Sequence, residues 1–251
     1  MINLFNSNSI FNYKEIDQGI DLFQKLILRK TANEDFLYQM PINFYRARLA
    51  FMIEGYNLKK LKNMPSIIYG ECSYQNNQLE IIDHSFKASK SVNLSSNLLI
   101  NLENCPNTKS LVVNNNKLET LKGLHESVNY LCAYGNPQLT DIKTLENRNL
   151  KTLILSHCGE MCLDFNLTIN NRIGLKSAKI KYIDLNKLKI DAKCIISVDD
   201  IFLEYCDNGM EFVKMYKNQI DNLNDWPYNK LEKLFSKIDE KRRIKSILTN
   251  L

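Results

Sequence analysis

Apolar and polar positions through the middle of the chain repeat in one frame, apolar-x-apolar-x-x-Asn-x-apolar-x-x-apolar. The frame fits Cys72-x-Tyr74-x-x-Asn77-x-Leu79-x-x-Ile82, then Val92-x-Leu94-x-x-Asn97-x-Leu99-x-x-Leu102. It returns as Leu111-x-Val113-x-x-Asn116-x-Leu118-x-x-Leu121, and as Leu131-x-Ala133-x-x-Asn136 with Leu139 and Ile142 following one residue late. Upstream, Phe51-x-Ile53-x-x-Tyr56-x-Leu58-x-x-Leu61 keeps the phase with Tyr in place of Asn. Downstream, Leu150-x-x-Leu153-x-Leu155-x-x-Cys158 keeps it with Cys. Successive frames start about 20 residues apart, a period that belongs to stacked repeats and not to a single folded core. A seventh copy around Ala178 and Ile180 and an eighth around Cys194 and Ile196 are weaker, having lost the Asn and the even spacing.

Each position in the frame has a physical reason. An alternating apolar pair suits a short strand whose two apolar side chains point inward, and strands of neighbouring repeats can then pair in parallel. A buried Asn at the turn can both donate to and accept from backbone groups that the turn leaves unpaired. The two later apolar residues fill the space behind the strand. Eleven residues of frame in a period of about 20 leave some nine for the return, too few for a long helix. The return is therefore expected to be extended or 3₁₀-like, as Pro65, Pro106 and Gly123-Leu124 allow.

These residues resemble the leucine-rich repeat family, in its short-repeat form, over about residues 47–165 and in degenerate form to 203. The resemblance implies an α/β solenoid with a curved parallel sheet, and it implies little about function. Such a solenoid needs a cap at each end. Ile16, Ile20, Phe23, Leu26 and Ile27 recur at helical spacing, and Asn33 can cap a second short helix to Met40, so residues 1–46 are expected to form a helical cap. Residues 204–251 are expected to form another. Met210, Phe212, Val213 and Tyr216 lie on one helix; Leu231, Leu234, Phe235 and Ile238 lie on a later one, with a phase shift near Glu240. Trp226 beside Pro227 reads as a cap anchor.

Composition narrows the function. The 251 residues are 44% hydrophobic and 24% charged, and no run of apolar residues is long enough to span a membrane as a helix. The first residues lack the basic and apolar segments of a signal peptide. Asn makes up about one residue in eight. The seven cysteines form no paired CxxC sets, which points to reduced thiols in a cytosolic protein, with a host cell as the site of action for an effector. His157, Cys158 and Cys162 lie close in sequence but have no second ligand pair, and no metal or other cofactor is expected. Asp199-Asp200 reads as a solvated turn.

No phosphate-binding, zinc-protease or serine-hydrolase motif is present, and His84, His125 and His157 are scattered. Some bacterial leucine-rich repeat effectors, which this chain resembles in repeat length, carry a C-terminal ubiquitin-ligase domain with a cysteine nucleophile. Cys206 is the one candidate, but the tail after it is too short for that domain and has no evident activator of the thiol. No catalytic residue is assigned, and the chain is read as a non-enzyme.

The frame also selects a concave face. Its candidate partner-binding residues are Glu54, Glu71, Ser73, Gln75, Asn93, Ser95, Asn114, Tyr130, Tyr134, Thr152, Ser156 and His157. The tyrosines bring amphipathic area at small entropic cost, which suits a protein or peptide partner. Nucleic acid would require Lys and Arg on this face, where almost none fall. Two other readings stand beside this one. A bacterial or viral host-directed adapter would add a second contact surface on the C-terminal helices, and a nucleic-acid-associated protein would use Lys233, Lys237 and Lys241 to Lys245.

Overall fold

A computed structural model describes residues 10–16, 19–29, 46–55, 57–61, 67–83, 86–88, 90–221, 236 and 240, with the backbone alone up to residue 51. Tyr56, Pro65, His84, Trp226, residues 33–40, the later C-terminal helices and the lysines of 233–245 lie outside the described residues.

The repeats build a solenoid of parallel strands. Its main sheet runs through β3 (Arg46–Glu54), β5 (Glu71–Ser73), β7 (Ser91–Asn93), β8 (Ser110–Val112), β9 (Tyr130–Cys132), β10 (Arg148–Ile154) and β12 (Leu167–Gly174), each parallel to its neighbour. Beyond β12 lie β14 (Leu188–Ile190) and β15 (Ile195–Ser197), both paired with it. The sheet gives about seven turns. The first frame position is in register throughout: Phe51, Cys72, Val92, Leu111, Leu131, Leu153, Ile173 and Ile196 pair in sequence. A second parallel row, formed by β4 (Ile67–Ile68) and β6 (Lys87–Ala88) beside the start of β3, continues by a bridge from Lys87 to Asn107.

The core is the set of inward frame positions, stacked repeat on repeat. Leu79, Leu99, Leu118 and Leu139 are fully buried, with Ile82, Leu102, Leu121 and Ile142 behind them. The return segments hold a short 3₁₀ turn at Lys143–Leu145 and one two-stranded parallel sheet, β11 (Glu160–Leu163) with β13 (Lys179–Ile183). No α-helix interrupts the described returns, as the short period requires.

The ends differ from the sequence expectation. In place of an N-terminal helical cap, β1 (Ile10–Ile16) and β2 (Gly19–Arg29) form an antiparallel hairpin, and β2 pairs parallel with β3. The helical spacing of Ile16, Ile20, Phe23 and Ile27 competes with an alternation through Ile20, Leu22, Leu26 and Leu28. The open edge of β3 decides for the strand, since its unpaired N–H and C=O groups are satisfied by another strand and not by a helix. At the other end, up to residue 221, the described residues hold α1 (Asp200–Tyr205), α2 (Gly209–Tyr216) and a 3₁₀ turn at Lys217–Gln219, which is less than a full helical cap. Asp199 is the N-cap of α1, its Oδ1 accepting from Phe202 N at 3.0 Å, so it is not a solvated turn residue. Asp221 N donates to Ile196 O at 2.7 Å, covering part of the last strand edge.

Candidate functional site

The asparagines stand in a column inside the turns that end the strands. Asn97 Nδ2 donates to Leu94 O of its own repeat at 3.0 Å and to Tyr74 O of the preceding repeat at 2.9 Å, while its Oδ1 accepts from Leu79 N at 3.1 Å. Asn77, Asn116 and Asn136 repeat the arrangement, with their Oδ1 atoms accepting from Leu58, Leu99 and Leu118 N. Tyr74 O, Leu94 O and Val113 O thus each accept from two asparagines. Both lone pairs of these carbonyls are used, and each amide ties one repeat to the next.

Cys158 fits the column for a reason the frame alone does not give. Its thiol donates to Ala133 O at 3.1 Å but is a weak acceptor, and the N–H it would have served, that of Leu139, donates to Asn136 O at 3.0 Å. The one-residue insertion after Asn136 makes that bond. Burial pushes this thiol up to about 12, and pushes those of Cys105 and Cys194 up to about 11, so these groups are protonated at neutral pH. Cys206 is 1% exposed.

Beside the asparagine column runs a second one, of left-handed backbone. Gly55, Asn76, Ser96, Asn115, Gly135, His157 and Ser177 all have positive φ, each one position before the ladder residue. Gly and Asn reach this region readily, and His more often than most residues, whereas Ser96 and Ser177 are less suited to it. At each of these positions but the last, the N–H donates to a carbonyl of the following repeat, as Ser96 N does to Asn114 O at 2.8 Å. Ser177 N instead finds Asp199 Oδ1, at 2.8 Å.

Between these columns and the strand entry lies the outward face. Of the residues expected there, Glu54, Ser73, Ser95, Thr152 and Ser156 are buried; the small hydroxyl side chains on closely spaced strands are covered by their neighbours. Gln75, Asn93 and Asn114 are half-buried and bonded along the face. Asn93 Nδ2 donates to Gln75 Oε1 at 2.9 Å, and Asn114 Oδ1 accepts from Tyr134 N at 3.1 Å. Glu71 and His157 are exposed, and Tyr130 and Tyr134 are 37% and 40% exposed. Tyr134 meets the His157 ring edge-on, with centroids 5.0 Å apart.

The face extends further than the clear frames do. Ile173-x-Leu175-x-x-Ala178-x-Ile180-x-x-Ile183 is a full copy with Ala at the Asn position, and Ile173, Leu175, Ala178, Ile180 and Ile183 are all buried. Ala178 has no side-chain donor, and its own N–H donates to Leu175 O at 3.1 Å instead. This copy puts Arg172 and Lys176 on the outward face beside Thr152 and Ser156, two residues that the Asn-based frame passes over. Arg172 Nη2 donates to Ser197 Oγ at 3.2 Å and pairs with Asp221 at 3.3 Å. The face therefore runs from acidic at Glu71, through small amide and hydroxyl groups, to aromatic and basic.

Among the described residues no group of His, Cys, Asp and Glu is placed to hold a metal ion, and no helix there is long and apolar enough to cross a membrane. His157 and Cys158 point to opposite environments, one exposed and one buried. Set beside known proteins, the chain matches no family model, no curated protein and no solved structure.

Proposed function

We propose that the chain is a leucine-rich repeat protein of the short-repeat type, and that it binds a protein or peptide partner through the outward face of its parallel sheet. The asparagine column supports the first part: one amide per repeat joins consecutive turns, with its oxygen turned to the return segment. The exposed pair Tyr130 and Tyr134 carries the second. Two large amphipathic side chains on backbone held by ladders on both sides lose little entropy when a partner covers them. In this reading the chain works as a binding surface and not as an enzyme, since its buried thiols are inert and its polar side chains are spent on one another.

The test is a partner captured from the native source by affinity purification and identified by mass spectrometry. Changing both Tyr130→Ala and Tyr134→Ala lowers affinity for that partner by about tenfold or more. It alters thermal stability by no more than exposed substitutions usually do, about 0.5 kcal/mol. Equal capture by the double variant contradicts the site.

A further inference from the structure

The strands are entered through a line of cations. Lys90, Lys109 and Lys151 each directly precede an outward residue of the registered row Ser91, Ser110, Tyr130 and Thr152. Asn129 holds the same place before Tyr130. The backbone there is fixed: Asn129 N and Tyr130 N both donate to Lys109 O at 3.0 Å, and Lys151 N and Thr152 N both donate to Asn129 O, at 2.7 and 3.2 Å. All three lysines are exposed, and none is in an ion pair among the described residues. Lys87, also exposed and unpaired, lies one row back. The opposite border, formed by the left-handed column, has no Lys, Arg, Asp or Glu from Asn76 to Ser177. The face thus has one cationic border and one neutral border, with Tyr130 and Tyr134 between them.

Resting on the reading that this face binds a peptide, we infer that its occupant is an extended acidic segment of a partner protein, lying across the strands with alternate carboxylates on the lysine border. Neighbouring strands lie about 4.8 Å apart, so Lys90 and Lys109 are about 5 Å apart along the stack and Lys90 and Lys151 about 14 Å. An extended chain rises about 3.3 Å per residue and presents every second side chain on one side, about 7 Å apart. Acidic residues at i, i+2 and i+4 therefore cover the lysine line from end to end. The residues facing the other way meet the neutral border, where Asn76 and Asn115 offer amides. Single-stranded nucleic acid fits less well, because stacking needs an aromatic for successive bases. The floor beside the two tyrosines is Ser91, Asn93, Ser110, Val112 and Cys132, and the Tyr134 ring is already met by His157.

The full chain, immobilised, selects from a display library of random 12-residue peptides. The consensus peptide is then synthesised beside a copy with every Asp and Glu made Asn and Gln, and beside a random 12-nucleotide RNA. Fluorescence anisotropy compares the wild-type chain, the triple variant Lys90→Gln, Lys109→Gln, Lys151→Gln, and the double tyrosine variant. The expected result is an acidic consensus whose affinity falls about tenfold in the triple variant and falls with added salt, with weaker binding of the amide copy and of RNA. Salt dependence with the wild-type chain decides the matter if the triple variant fails to fold. A neutral or basic consensus, or an acidic one indifferent to the lysines and to salt, overturns the inference. If the tyrosine change still abolishes that binding, the proposed face survives; if neither variant matters, both fall. Preferential binding of RNA overturns both.

Discussion

Replacing Asn97 by leucine lowers the stability of the chain by about 3 kcal/mol. The side chain is 4% exposed and serves four backbone groups in two repeats: Leu79 N, Tyr74 O, Leu94 O and, at 3.2 Å, Ser95 O. Leucine has a similar outline and no polar atom. Leu79 N then loses its acceptor within the core, and the three carbonyls each keep one donor, Asn77 for Tyr74 O, Asn116 for Leu94 O and Asn76 N for Ser95 O. One buried N–H without a partner costs about 1–3 kcal/mol, and the halved carbonyls add to it. Asn97→Cys retains a donor and loses the acceptor, as Cys158 does, so it falls between leucine and the wild type. Asn107→Leu, at an exposed position outside the column, stays within about 0.5 kcal/mol. Urea unfolding of the three variants measures these differences. Equal effects at Asn97 and Asn107 contradict the role given to the column.

Gly123→Ala is expected to cost a similar amount, about 3 kcal/mol, for a different reason. Gly123 has φ +89°, and a Cβ there lies 2.4 Å from Leu102 O and 2.5 Å from Glu103 Cα and N. Every one of these atoms is backbone, so no side chain can swing aside. The close approach exists because Leu102 N donates to Lys122 O at 2.9 Å, drawing two return segments together where Gly123 turns away. Alanine must either accept a disfavoured φ and a collision or push the two repeats apart. A loss below about 1 kcal/mol in the same urea measurement would show that the returns are more loosely stacked than this.

Much of this fold is legible in the sequence because the column imposes a periodic requirement. Only an amide of the length of Asn can donate to two carbonyls and accept from an N–H at that place, so its interval marks the repeat. The apolar positions around it, such as Leu94 and Leu99, follow from the strand and the return. Where another group meets the requirement, the mark disappears. Ala178 relies on its own N–H, and so the seventh copy shows only weakly in a search keyed on Asn, which passes over its outward Arg172 and Lys176. The left-handed column is hidden in the same way. Gly135 and Asn115 are suited to positive φ, but Ser96 and Ser177 give no sign of it in the sequence. At the N-terminal end a segment with two competing periodicities takes the one that an open sheet edge rewards, a choice made by tertiary pairing and not by local pattern.

The candidate face was legible in part. Tyr130, Tyr134 and His157 are where the frame puts them and exposed, with the Tyr134 ring against that of His157. Glu54, Ser73 and Thr152 satisfy the frame and are nevertheless buried, because alternation gives the direction of a side chain but not how far its neighbours overlap it. The lysine border escapes the frame, since it lies one residue ahead of the strand, where alternation has not begun.

The asparagine column is most directly tested by hydrogen exchange of Asn side-chain amides, followed by NMR on the full chain. The amides of Asn77, Asn97, Asn116 and Asn136 exchange slowly and together, on the timescale of opening of the stacked repeats, while those of the exposed Asn107 and Asn115 exchange at the rate of free amides. Rapid exchange at all six positions would contradict the column and the solenoid built on it.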